Sequence, residues 1–231
     1  MEFIYSTRNP SVPTAYSRLD AMHTSCEILL PFLPEDEARA LVDAVWERMR
    51  AADRRYNRFL PGSVLAEVNR KAAGEAVPVD EELFMILQLC ETFRKATSGY
   101  FDVTAGSRVP DRAVLLDASA HTVRFSRPGM GLDLGGFVKG FVLEQAVREV
   151  SARAESALLS FGGSSVAAVG RHPLDAPWPV AVAHSYYADR TAHTFQLEGE
   201  AGQEVLACHF LTHIVKVRAC PSVRHRTSEA R

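Results

Sequence analysis

The sequence predicts an α+β protein built on antiparallel or mixed sheets with packed helices. Three observations carry that prediction. Apolar runs of strand length follow one another at Ala157–Phe161, Ser165–Val169, Pro179–Ala183 and Thr194–Leu197, with no helix-length segment between them. Three longer segments instead repeat apolar residues every three or four positions, which is the pattern of an amphipathic helix. The two kinds of segment alternate without the strict strand–helix–strand rhythm of a doubly wound sheet. With 231 residues, 47% of them hydrophobic and 23% charged, the chain suits one large domain or two small ones sharing a core.

Taken in order, residues 1–18 are polar, contain Pro10 and Pro13 and show no periodicity. They are expected to be a loose N-terminal arm, followed by a single domain over 19–217 and a basic frayed tail over 218–231. Ser25–Phe32 reads as a strand stopped by Pro31 and Pro34. From Glu35 the period changes: Ala38, Leu41, Val42, Val45 and Met49 follow an acidic first turn and predict a helix lying on the core. Residues 50–69 predict a loop centred on Pro61-Gly62. Asp80 can cap a second helix, with Leu83, Ile86, Leu87 and Cys90 as its buried stripe and Gly99 at its end. Val114–Leu116 and Thr122–Phe125 predict a hairpin. Val142, Ala146, Val147 and Val150 predict a third helix, and Val205–Leu211 and Ile214–Val217 are two late apolar runs.

Composition excludes several classes. With 26 basic against 28 acidic side chains, the chain has no net field to gather nucleic acid or an anionic membrane. No apolar run reaches the roughly 18 residues of a transmembrane helix, so no such segment is expected. The N-terminal residues lack an apolar h-region and a small-residue cleavage site. Cys26, Cys90, Cys208 and Cys220 are scattered and form no C-x-x-C, so a reduced, cytoplasmic setting is expected. No G-x-S-x-G, S-x-x-K or zincin motif is present. Nor does an early strand carry the G-x-G-x-x-G of dinucleotide oxidoreductases.

The most informative segment is GLDLGGFVKGF, Gly131–Phe141. A strand-like run feeds two glycines, a lysine follows, and an amphipathic helix opens at once. That order gathers backbone N–H groups, a cation and a helix N-terminus, which suits a phosphate-bearing ligand. The same glycines could also simply close a tight bend. Four further segments accompany it in order: AMHTSCEILL before it, then RFLPGSVLAEVN and GYFDVTAG, and LLSFGGSSVAAVG after it. Together they resemble the ApbE family, the Mg-dependent FAD:protein FMN transferases. The resemblance covers about residues 20–185.

The resemblance implies an ApbE-like fold with a FAD cleft between two lobes. It implies Mg²⁺ as cofactor, FAD as substrate, and as partner an acceptor protein whose threonine hydroxyl takes FMN while AMP departs. It places FAD against Met22, Phe59, Tyr100, Phe101, Asp102, Gly135 and Lys139, and it nominates the backbone carbonyl of Val138 as a metal ligand. It names no catalytic residue. Each position has a plainer reading beside it. Met22 could be a core methionine, and His23 replaces the glycine usual after it. Phe59 stands where tyrosine is frequent and can stack but offers no hydroxyl. Asp102 either accepts from the ligand or closes an Asx turn, Ser63 either caps a short helix or touches FAD, and Lys139 either neutralises phosphate or is solvated. Asp133 is expected to fix the glycine turn, Asn69 matches the family loop, and Gly162-Gly163 are expected to serve packing.

Beyond Asp189 the resemblance fades. The family continues with an HxIDPxTG segment that supplies acids to the metal, whereas Thr212-His213-Ile214-Val215 echoes it without an Asp-Pro. His209 and His213 are four apart, which chelates on a helix, but on a strand they stand about 13 Å apart and share no ion. The leading expectation is therefore a flavin transferase, with transfer by this chain expected to be poor. The alternatives are a FAD-binding protein or weak remnant without a complete metal site, and a FAD pyrophosphatase in which water replaces the threonine. Many members of the family are exported; no lipid-accepting cysteine lies near the start of this sequence.

Overall fold

The computed structural model describes residues 1–107, 109, 113–183, 191–197 and 204–207. They divide into two compact units, Met1–Met49 with the chain from Lys139 onward, and Arg50–Val138. Every described strand pairing is antiparallel. This is the α+β architecture the adjoining apolar runs predict.

The first unit is built on a six-stranded sheet in the order β1-β2-β3-β7-β8-β11. Its strands are β1 (Glu2–Ser6), β2 (Thr14–Ala21), β3 (Thr24–Pro31), β7 (Ala157–Phe161), β8 (Ser165–Val169) and β11 (Glu204–Ala207). One face buries Cys26, Ile28, Leu30, Leu159 and Phe161 together with the apolar stripe of helix α1 (Glu35–Tyr56), in which Trp46 and Met49 are fully buried. Trp46 lies 6.3 Å from Phe161 between ring centroids. On the other face, Val166 and Ala168 form a second cluster with Trp178 and Leu197 of the hairpin β9 (Trp178–Ala183) and β10 (Thr191–Leu197).

Two sequence expectations are corrected here. Residues 1–18 are not a loose arm: they form β1 and most of β2, paired from Glu2↔Arg18 to Ser6↔Thr14. The alternation was hidden because an inward position of β2 is Ser17, not an apolar residue. Ser17 is fully buried, and its hydroxyl donates to the Glu2 carbonyl (2.7 Å) and accepts from the Trp46 indole N–H (2.8 Å), so it costs no orphaned polar group. Residues 50–69 are not all loop either. Helix α1 continues to Tyr56, because Ala52 and Tyr56 extend the buried stripe of Met49 through an otherwise charged run. After a turn, Ser63 caps helix α2 (Val64–Lys71), its hydroxyl accepting from the Ala66 N–H at 3.0 Å.

The second unit holds the end of α1, helix α2, helix α3 (Glu81–Ala96) and a three-stranded sheet in the order β4-β6-β5. Its strands are β4 (Val77–Pro78), β5 (Val114–Asp117) and β6 (Thr122–Phe125). Asp80 caps α3 as the sequence suggests, accepting from the Leu83 N–H at 2.9 Å. Helix α4 (Gly135–Ser151) starts in this unit and continues into the first. His209, His213 and the 218–231 tail lie outside the described residues, as do most of Val205–Leu211 and all of Ile214–Val217.

Candidate functional site

In the second unit the candidate residues begin where α3 ends. Thr97 closes the helix: its hydroxyl donates to the Phe93 carbonyl at 2.8 Å and accepts from the Phe101 N–H at 3.0 Å. The chain is thereby turned so that Phe101 stands edge-on to Phe93, with centroids 6.1 Å apart, while Tyr100 projects outward and is 80% exposed. One Asp102 oxygen accepts both the Thr104 N–H (2.8 Å) and the Thr104 hydroxyl (2.6 Å). That is the Asx-turn reading of Asp102. Nearby, Glu91 holds Arg94 bidentately at 2.7 and 2.8 Å. This pairing raises the Arg94 pKa, with a smaller contribution from the charge of Asp102.

The Gly131–Leu134 run alternates like a strand, with Leu132 and Leu134 buried, yet it has no strand neighbour among the described residues. Side chains replace the ladder. The Ser107 hydroxyl accepts from the Gly131 N–H (2.8 Å) and donates to the Gly131 carbonyl (3.1 Å). The Asn69 amide accepts from the Leu132 N–H (2.7 Å) and donates to the Leu132 carbonyl (3.0 Å). The Asp133 N–H donates to the Val103 carbonyl at 2.7 Å. One Asp133 oxygen then accepts from the Gly135 N–H at 2.9 Å, and the other lies 3.5 Å from the Arg58 guanidinium. Asp133 thus fixes the glycine turn, as expected. The Phe137 and Val138 N–H groups both reach the Leu134 carbonyl at 2.9 Å. The Gly136 N–H has no acceptor among the described residues, as befits a donor in the first turn of a helix. Phe137 also leans on Phe93, at 6.0 Å.

The structure therefore brings Phe101, Asp102 and Gly135 into one tied assembly. Phe59 joins it through Arg58, whose guanidinium lies 4.5 Å from the centroid of the Phe59 ring. The ring remains 70% exposed. In the sequence, an Arg-Phe pair ahead of a Pro-Gly turn is the one local hint of this stacked cation.

In the first unit Met22 and His23 form the two-residue turn between β2 and β3, with φ of 53° and 57°. Met22 is half-buried at this tip and is not a core methionine. Beside it, the Gly162 N–H donates to the Ser25 carbonyl at 3.0 Å. A Cβ on Gly162 would come within 2.5 Å of the Thr24 hydroxyl oxygen, so this glycine serves close packing. Lys139, half-buried on α4, is near enough to Cys26 for its charge to lower the thiol pKa. Burial is the larger effect and pushes that thiol up to about 12, leaving it an inert core residue.

The described residues do not by themselves fit a Mg²⁺ ion. No group of three His, Cys, Asp or Glu side chains among them could hold a metal. Val138 is fully buried in the first turn of α4, where helix geometry directs its carbonyl to an N–H four residues on and leaves one lone pair of that oxygen for an ion.

The glycine turn stands at a helix N-terminus, a place whose N–H groups suit an anionic group, and the Phe59 and Tyr100 rings of the same unit are exposed. The ApbE family model matches residues 22–205, and the chain belongs to that family. It is 27% identical over 182 residues to the FAD:protein FMN transferase of Treponema pallidum, an alignment covering 64% of this chain and 50% of that one. It is 28% identical over 186 residues to the FAD:protein FMN transferase of Rhodobacter capsulatus, covering 69% of this chain and 35% of the relative. The chain thus spans about half or less of the length of these curated relatives. Its fold resembles the crystal structure of the ApbE protein of Thermotoga maritima, with a TM-score of 0.69, 23% identity, and coverage of 86% of this chain and 68% of that one. The flavin transferase ApbE of Vibrio cholerae matches with a TM-score of 0.66 at 15% identity, covering 85% and 69%. Among the described residues no helix is long and apolar enough to cross a membrane.

Proposed function

We propose that this chain binds FAD and transfers FMN from it to the threonine hydroxyl of an acceptor protein. In that reaction the hydroxyl oxygen attacks the FMN phosphorus, the P–O bond to the AMP phosphate breaks, AMP leaves and the hydroxyl proton is lost. The observation that supports this most is the tie between the glycine turn and the Phe101–Asp102 loop, made by Asp133 with Val103 and by Gly131 with Ser107, which holds the Gly136 N–H, without an acceptor among the described residues, in the first turn of α4. The Gly136 N–H would meet a phosphate oxygen and Phe59, Tyr100 and Phe101 of the same unit would pack on the rings, while Met22 and Lys139 of the first unit enter the proposal from the family resemblance alone. Mg²⁺ enters the proposal as a requirement to be tested. Such an ion commonly binds through substrate phosphates and water with one or two carboxylates.

A second reading, a FAD binder that does not complete transfer, draws on the sequence between Glu204 and Val217, which has no Asp-Pro. Two measurements separate them. Fluorescence quenching of FAD titrated with protein should saturate under both readings; no saturable binding with Mg²⁺ present would sink both. Covalent labelling of a threonine-bearing acceptor peptide, seen as a fluorescent band on a denaturing gel and abolished by a chelator, is expected only for the transferase. Lys139→Ala should weaken FAD binding by roughly 1.5–3 kcal/mol, the range for a hydrogen bond to a charged group. Riboflavin, which has no phosphate, should be little affected, and equal losses for both ligands would assign Lys139 to the fold.

A further inference from the structure

The geometry points to Asn69 and Ser107 as positioning residues that act as a substitute strand for the glycine turn. This inference rests on the proposed FAD site and says what holds that site in shape. Gly131 and Leu132 each carry both a donor and an acceptor, and among the described residues no β-ladder takes them up. A single hydroxyl serves both groups of Gly131, and a single carboxamide serves both groups of Leu132. An amide that accepts from one residue's N–H and donates to its C=O reproduces what a neighbouring strand would offer.

The two clamps come from different parts of the unit. Asn69 lies in α2, and Ser107 lies in the loop that also carries Phe101 and Asp102. The next residue, Asp133, donates to the Val103 carbonyl of that same loop, and its side chain then bonds the first residue of α4. From Gly131 to Gly135 the chain is therefore pinned at four of five N–H groups, three of them by side chains. Loosening a clamp leaves Phe101 where Thr97 and Phe93 hold it. It lets the glycine turn drift, and with it the Gly136 N–H offered to phosphate. The clamps should thus govern affinity for the phosphate part of the ligand and not for its ring.

The test uses Asn69→Ala and Ser107→Ala in the full chain, with Kd measured for FAD and for riboflavin, and amide hydrogen exchange followed over 131–135. Each variant should weaken FAD binding by roughly tenfold, about what one net hydrogen bond to a charged group supplies. Riboflavin affinity should stay within about twofold, and exchange should quicken at Gly131 or Leu132. Asn69→Asp keeps the acceptor for the Leu132 N–H and loses the donor, so it should fall between wild type and Asn69→Ala. A purely structural role would lower both affinities together and leave no order among the variants, which would overturn the inference. If wild type binds FAD and both alanine variants bind it equally well, the inference alone falls; if wild type does not bind FAD, the site and the inference fall together. Should Asn69→Ala fail to fold, Ser107→Ala decides.

Discussion

The two glycine turns of this protein are held by different means. In the first unit the Gly162–Gly163 turn joins β7 to β8, whose ladder runs from Ala157↔Val169 to Phe161↔Ser165, and backbone bonding does almost all the holding. In the second unit the Gly131–Gly135 run has no ladder among the described residues and is held by Asn69, Ser107 and Asp133. A backbone ladder places few demands on side-chain identity. The neighbouring β2–β3 turn, closed by the ladder from Thr14↔Pro31 to Ala21↔Thr24, carries His23 at a positive φ, where the resemblance leads one to expect glycine. A side-chain ladder demands particular residues, since no apolar substitute offers a donor and an acceptor at the right spacing. The difference suits the proposed function, in which the sheet is a scaffold and the glycine run offers the Gly136 N–H to phosphate at a defined place.

The comparison can be broken most severely in the ladder-held unit. A Cβ on Gly170, just past β8, would lie 1.8 Å from the Glu155 carbonyl oxygen, and its φ is +58°. Gly170→Ala should cost about 4 kcal/mol or more, since backbone and not a flexible side chain must move. Urea unfolding would measure it, and a loss below about 1 kcal/mol would show that the two segments can separate cheaply. In the side-chain-held run, Asn69→Ala orphans both backbone groups of the fully buried Leu132 and should cost about 2–3 kcal/mol. A negligible loss in the same experiment would mean that water can replace the amide.

Smaller effects sharpen the contrast. His23→Gly should stabilise by about 0.5–1 kcal/mol, because glycine meets the positive φ without the Cβ clash. Destabilisation would show that the imidazole's own contacts outweigh that strain. The smallest effect concerns Asp80, the cap of α3. Burial works against its charge, but the Leu83 N–H and the Arg55 guanidinium outweigh burial and hold the carboxyl below its usual range. A carboxyl depressed in the folded state contributes fully above the unfolded pKa of roughly 3.9. That contribution is lost as pH falls through the lower folded value. The stability gap between wild type and Asp80→Asn should therefore be present at pH 7 and shrink toward pH 3. A gap independent of pH would assign the whole effect to hydrogen bonding.

Much of the fold was legible because burial imposes a period. The stripes of α1 and α3 and the runs of β3, β7, β8 and β9 stand where their apolar spacing put them. What escaped were positions where a polar residue sits in the core with a distant partner. Ser17 hid β2 because its partners, Glu2 and Trp46, lie 15 and 29 residues away. The continuation of α1 to Tyr56 keeps the helical steps Met49, Ala52 and Tyr56, but the charged residues Asp53, Arg54 and Arg55 between them and the Pro61-Gly62 turn just beyond point to a loop. The candidate site was half legible. The glycines, the lysine and the aromatic turn announced themselves as motifs, whereas Arg58 and the clamps of Asn69 and Ser107 did not.

By itself the sequence determined most of the element types, the α+β class with antiparallel or mixed sheets, and the family. Apolar periodicity and the order of short motifs are local properties, readable one segment at a time. Only the tertiary structure decided that Asp102 closes an Asx turn, that Met22 stands at a hairpin tip, and that Gly131 and Leu132 are laddered by side chains. The Asn69 clamp spans 63 residues of sequence and the Ser107 clamp spans 24. Hydrogen bonds depend on distance and angle in space, and nothing in the composition of either segment records which backbone groups the other will leave unpaired.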